Sequence, residues 1–344
     1  MLEPAEMRAV RVLGGPGSAA LRVQPWPVPS PRAGEMLVAV RASGLNHADL
    51  YQRDGEWPAP EGASDTLGVE VAGTVISADP TGRFAEGARV MALVDGGGYA
   101  EIAAVDPALA VEIPPHVTFQ EAAALPEALI VAHGNLVDIG AVEAGMRVLI
   151  HGGASGMGSV MIQIARDLGA EVVATTSDPA KIDRLKALGA CHVVDRNGAA
   201  FQGEAGGAAP ITGFDLIVDM AGASTLSANL ERLNHRGTLI LMGIMGGMIG
   251  TVDVDPIILK RLTVRGTILR SLPTAEKRAL AARAFARWIG RVAAGAIRPV
   301  IDSIHPFEAV RAAHDRLEQG GHFGKIVLAI DPESTNRNAL REFA

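Results

Sequence analysis

The chain has 344 residues, room for two domains, and is 48% hydrophobic and 20% charged, the balance of a globular protein with a full core. Its 31 basic and 38 acidic side chains leave a formal net charge of −7, which gives no basic footprint for nucleic acid or an anionic membrane. A single cysteine, Cys191, excludes an internal disulfide and suits a reducing compartment.

The opening residues, MLEPAEMRAV, lack the basic and then apolar run of a signal peptide. No run approaches the roughly 20 uninterrupted apolar residues of a membrane span, so the expectation is a cytoplasmic protein without a membrane partner. Short β-type runs recur up to residue 113: MRAVRVL, MLVAVRAS, VEVAGTVIS, RVMALV and YAEIAAV. Residues 14–34, rich in glycine and proline, read as turns between them. The spacing predicts an antiparallel, barrel-like β domain.

Beyond PPHVTFQEAAALPEALI the pattern changes. VLIHG, EVVATT, CHVVD, FDLIVDM and GTLILMG are apolar throughout, at strand length. Between most of them lie segments of helical period, such as Val160, Met161, Ile164, Ala165 and Leu168. Apolar strands alternating with amphipathic helices predict a parallel sheet covered on both faces. The stretch 198–213 reads as a loop. LTVRGTIL then reads as a sixth strand, followed by a helix, AEKRALAARAFARWIGRVAAG, the run IRPVIDSIHPF, another helix, and a last strand, GKIVLAI. The fold class is therefore α/β, with a parallel-sheet domain inserted into a β-rich one.

The strand MRVLI runs straight into HGGASGMGS and a helix, with glycines at 152, 153, 156 and 158. Free N–H groups at a helix start attract anions, and glycines let the backbone approach a pyrophosphate. A dinucleotide site of the NAD type carries an acid at the end of the second strand. Here that strand ends in Thr175, Thr176 and Ser177, which leave room for a 2′-phosphate, with Lys181 and Arg196 as candidate cations. Asp178 lies two positions beyond and weighs the other way. The balance favours NADPH.

The ordered set GLNHADLYQRDG, LGVEVAG, GGGYAEI, AALPEA, IHGGASGMGS and GHFGKIVL resembles the zinc-independent quinone oxidoreductases, the zeta-crystallin-like group of the medium-chain dehydrogenase/reductase superfamily. The resemblance covers roughly residues 7–330 and implies a GroES-like β-rich catalytic domain (1–125 and 267–344) around a Rossmann domain (126–266). In zinc-dependent relatives a cysteine and a histidine stand where this chain has Asn46 and Val69, so the resemblance implies no metal. A catalytic zinc needs about three Cys, His or carboxylate donors. It further implies that Asn46 and Tyr51 polarise the substrate. The pyrophosphate contacts map to Ala154, Ser155, Gly156 and Met157, and the 2′-phosphate region to Ser177, Lys181 and Arg196. The nicotinamide side maps to Ala223, Gly243, Ile244, Met245, Leu269 and Arg270. Where relatives often place a threonine, this chain has Val131. His47, His133, His235, His305 and His314 form no triad or metal pattern.

The implied activity is NADPH-dependent reduction of a quinone or related conjugated carbonyl. An enoyl or alkenal C=C reductase and a non-catalytic NADPH-binding protein remain as alternatives. By the same resemblance the sixth strand is expected to pair with a second copy, giving a homodimer.

Overall fold

The computed structural model describes residues 5–77, 79–197 and 212–330; nearly all of the stretch read as a loop at 198–213 lies outside them. The chain divides into two units. One comprises residues up to Ile130 and from Arg270 onward, and the other is Val131–Leu269.

The first unit holds a hairpin, β1 (Glu6–Val12) with β2 (Leu21–Pro27), and a seven-stranded sheet. The sheet order is β14 (Ile301–Pro306), β15 (Lys325–Ala329), β3 (Met36–Gly44), β4 (Glu70–Val75), β5 (Arg89–Leu93) and β7 (Ala110–Glu112), with β6 (Ile102–Val105) also on β3. Among the described residues of this unit only β14 and β15 pair in parallel. The second unit holds β8 (Arg147–Ile150), β9 (Glu171–Thr176), β10 (His192–Asp195), β11 (Phe214–Asp219), β12 (Leu233–Leu241) and β13 (Thr263–Gly266). They form one parallel sheet in the order β10-β9-β8-β11-β12-β13. This is a doubly wound Rossmann sheet whose order reverses between β8 and β11, the place where such sheets bind dinucleotides.

One sequence expectation needs correction. Residues 21–27 form a strand, not a turn. Pro25 and Pro27 are tolerated because β2 pairs only with β1, leaving its other edge without a ladder to interrupt. Among the described residues one helical stretch, Phe119–Ile139, has the length and composition to cross a membrane, but polar residues interrupt it and 67% of its most apolar window is buried inside the protein. Burial accounts for its composition, as it does for any core helix.

Within the first unit, strand direction gathers one group of residues. β3 is antiparallel to both β4 and β15, with Ser43 opposite Val71 and Gly44 opposite Val327. The end of β3 therefore meets the starts of β4 and β15, which places Asn46, Glu70 and Lys325 together. Gly44 is required there, because a Cβ on it would lie 2.5 Å from both the Ala123 carbonyl and Glu70 Oε1.

Candidate functional site

In the first unit, Asn46 caps the helix His47–Arg53, and its backbone N–H donates to Asp49 Oδ2 at 2.8 Å. Asp49 also accepts from the Tyr99 hydroxyl at 2.9 Å and the Gly68 N–H at 3.1 Å. Tyr99 and Asp49 are both fully buried, so the tyrosine of GGGYAEI fixes this turn. Burial, against these hydrogen bonds, lifts the Asp49 carboxyl to about 6.

Each atom of the Asn46 amide has a partner. Nδ2 donates to Glu70 Oε1 at 2.9 Å, and Oδ1 accepts from the Lys325 ammonium, which also donates to Glu70 Oε1. The ammonium decides the orientation of the amide, since a cation donates to the carbonyl oxygen and repels the NH2 end. One Nδ2 proton is committed to Glu70 and a second remains. Glu70 is completed by the backbone N–H of Glu127, at 3.1 Å from Oε2. Lys325 is buried, and burial opposes its charge; Glu70 and Glu127 more than offset this and hold its pKa above the usual value.

The positions that carry zinc ligands in relatives do not fit the metal here. Val69 is apolar and buried, and the Asn46 amide is held between Glu70 and a fixed ammonium that would repel a second cation. Among the described residues no group of three His, Cys, Asp or Glu is arranged to hold a metal ion. Tyr51 lies half-buried on the same helix as Asp49. Arg270 belongs to this unit: its guanidinium donates to the Gln52 side chain and lies 5.4 Å over the Trp57 ring. Its Nε and Nη1 are buried without a hydrogen-bond partner.

In the second unit, β8 enters the turn 151–155 and the helix Gly156–Asp167 follows. Ser155 caps that helix, its hydroxyl accepting from the Gly158 N–H at 2.9 Å. Gly152 sits at φ +63°, the left-handed region that favours glycine. A Cβ on Gly158 would fall 2.3 Å from the Gly152 carbonyl, so helix and turn touch through backbone alone. Ala154, Ser155, Gly156 and Met157 thus line a helix start suited to a pyrophosphate.

Beside it, Thr176 and Asp195 are partners at the ends of β9 and β10, and the Arg196 N–H donates to the Thr176 carbonyl at 2.7 Å. Ser177 and Arg196 therefore leave two adjacent strands side by side, both exposed. Asp178 accepts from the Ala180 N–H at 3.0 Å and lies 3.8 Å from the buried Lys181. The Asp178 carboxylate is thereby already engaged, and Lys181 sits beside it.

The loops after β11 and β12 bring Ala223, Gly243, Ile244 and Met245 together. Ala223 N–H donates to the Gly247 carbonyl at 3.0 Å and Met245 N–H to the Met220 carbonyl at 3.2 Å. Leu269 is the last residue of this unit, and Arg270, next in the chain, belongs to the first.

One functional support has no counterpart in the sequence reading. His151 Nε2 bonds Asn229 Oδ1 at 2.9 Å, and Asn229 in turn donates to Asp219 Oδ2 at 3.1 Å. Asp219 also accepts from the Ala221 N–H at 2.6 Å and the Thr225 hydroxyl at 2.7 Å. This buried network ties the glycine turn to the loop carrying Ala223. The only local sign of it is an Asp at the end of an otherwise apolar strand.

Residues 32–115 match the alcohol dehydrogenase GroES-like domain, and residues 156–286 match the zinc-binding dehydrogenase model. The human quinone oxidoreductase is 30% identical over 331 residues, 94% of this chain and 98% of its own. The chain belongs to the zeta-crystallin-like quinone oxidoreductase group of the medium-chain dehydrogenase/reductase superfamily. It is an oxidoreductase. Polyketide synthase GfsB of Streptomyces halstedii is 33% identical over 88% of this chain, which spans only 5% of that much longer protein. A mycobacterial structure complexed with NADPH superposes with a TM-score of 0.83 at 29% identity, covering 94% of this chain and 99% of that one.

Proposed function

We propose that this protein reduces a quinone, or a related conjugated carbonyl, with NADPH and without zinc. The observation that carries the reading is the Asn46 amide, oriented by Lys325 and Glu70 with one N–H left over. NADPH supplies a hydride from C4 of its nicotinamide when bound. Negative charge then develops on the acceptor oxygen, and preorganised donors at that oxygen lower the barrier. Asn46 supplies one donor, and the ammonium on its Oδ1 draws electron density from the amide and sharpens the remaining N–H. Tyr51, five positions along the same segment, supplies a phenol as the second. The glycine turn and Ser155 hold the pyrophosphate, and the loop of Ala223 and Gly243–Met245 faces the nicotinamide.

The test is turnover by protein treated with chelator. NADPH oxidation driven by a quinone, or loss of an enone's absorbance, is expected with no stoichiometric zinc in the sample. Activity that disappears with a bound zinc would sink the zinc-free reading.

The 2′-phosphate is assigned to Ser177 and Arg196, with Lys181 as a further cation. A charge-assisted contact contributes on the order of 1.5–3 kcal/mol, so NADPH is expected to bind roughly tenfold or more tightly than NADH. Arg196→Ala should weaken NADPH and spare NADH, since only NADPH carries the phosphate. Paired titrations by nicotinamide fluorescence decide it; equal losses for both cofactors would refute the assignment.

We also propose a homodimer through β13. All four residues of this edge strand are exposed, and exposed Val254, Ile258, Leu259 and Ile268 belong to the same stretch of chain. A bare apolar edge is a pairing surface. Light scattering should give twice the chain mass; a monomer mass independent of concentration would rule this out.

A further inference from the structure

Two buried carboxyl groups, Asp49 and Glu70, and a third, Glu127, whose Oε2 is buried, act on one ammonium, Lys325. They are not equally compensated. Glu70 receives three donors, from Lys325, Asn46 Nδ2 and the Glu127 N–H. Asp49 also receives three, from the Asn46 N–H, the Tyr99 hydroxyl and the Gly68 N–H. Glu127 Oε2 is buried with no hydrogen bond, and its nearest cation, Lys325 Nζ, stands 3.8 Å away. Glu127 Oε2 has no donor where Glu70 and Asp49 have three each, so Glu127 is the costliest of the three to ionise and a proton held by this cluster resides on it.

We propose that Glu127 stores the proton consumed in each reduction. This rests on reading the site as a hydride-transfer centre, and it adds a step to that reading. Hydride addition leaves an electron pair and a negative charge on the acceptor oxygen. The O–H bond of Glu127 then breaks, and its proton passes over water to that oxygen. The carboxylate left behind faces the Lys325 ammonium, which stabilises it until water returns a proton. The Glu127 side chain is 18% exposed, which gives the proton its route out and back.

The surroundings agree. Burial and the charges of Glu70 on β4 and Asp49 on its helix push the Glu127 carboxyl up, while Lys325 on β15 and Arg270 pull it down, leaving it at about 7. A proton donor with that value is loaded below neutrality, so the rate should fall as pH rises through about 7. A group poised near the working pH is the effective one for proton transfer.

The test uses the full chain and Glu127→Gln, which keeps shape and removes the acid. First, carboxyl C=O infrared absorption is followed against pH in the NADPH-free protein. A carboxylic acid band that titrates near neutrality in wild type and is missing from the variant is expected. Second, kcat for a quinone is measured across pH. The variant should lose on the order of a hundredfold in kcat, with the falling limb near pH 7 gone and NADPH affinity unchanged. No titrating acid in wild type, or the same limb in the variant, would overturn the proposal. The infrared result stands apart from turnover: a wild type that shows the band but reduces neither quinone nor enone defeats the reading of the function, while the stored proton remains.

Discussion

Lys325→Met is expected to destabilise the protein by about 3–5 kcal/mol at pH 8, the cost of leaving a buried charge without its partner. Lys325 is 5% exposed, and it donates to Glu70, Asn46 and the Leu45 carbonyl. Methionine keeps the volume and removes the charge, so Glu70 and Glu127 face each other uncompensated. The sign of the pH dependence follows. In the variant Glu127, pushed up by burial and Glu70, loses the cation that pulls it down, so it takes up a proton as pH falls and its repulsion with Glu70 disappears. Urea unfolding should therefore show a larger deficit at pH 8 than at pH 5.5. Adding Glu70→Gln should restore part of the loss, because it removes a charge that has no partner. A deficit that is equal at both pH values would mean that packing, and not the ion pair, sets the cost. Turnover should fall as well, because Asn46 Oδ1 loses the group that orients it.

Gly158→Ala is expected to lower kcat/KM for NADPH by about a hundredfold, the scale of a misplacement near 1 Å. The added Cβ would sit 2.3 Å from the Gly152 carbonyl and 2.8 Å from the Gly153 Cα, both backbone atoms that cannot rotate away. Either the helix Gly156–Asp167 withdraws or the turn opens, and the N–H groups at the helix start move with it. Overpacking of this kind costs about 1–3 kcal/mol of stability, so the protein should still fold. Gly145→Ala is a control for a substitution in the same unit, since a Cβ there meets nothing within 4 Å, although its φ of +85° adds local strain. Titration by nicotinamide fluorescence and circular dichroism separates lost binding from lost fold. Unchanged NADPH affinity in Gly158→Ala would show that the turn does not hold the pyrophosphate.

Much of this protein was written locally. Uninterrupted apolar runs at strand length, spaced by helical periods, announced the parallel sheet, and its order puts β8 at the reversal where the glycine turn begins. That turn was legible because its requirement is local: a helix start, a strand end and residues without Cβ at the contact. The short β runs announced the sheet of the first unit. β2 was obscured by Pro25 and Pro27, whose usual meaning is changed by the absence of a second neighbour, which no local pattern records.

The polar centre was decided by the tertiary structure. GHFGKIVL reads as a loop and a last strand, and nothing in it marks Lys325 as different from a surface lysine. Its partners Asn46 and Glu70 lie 279 and 255 positions away. Glu127 in AALPEA likewise gives no local sign that its carboxyl is enclosed, and Arg270 is placed beside Gln52, 218 positions distant. Apolar residues show their destination through periodicity, because burial follows from facing one side of a helix or sheet. A charged side chain shows only that it needs a partner or water. Which of these it finds depends on the strands that antiparallel pairing brings to the same end of a sheet, and here β3, β4 and β15 settle it.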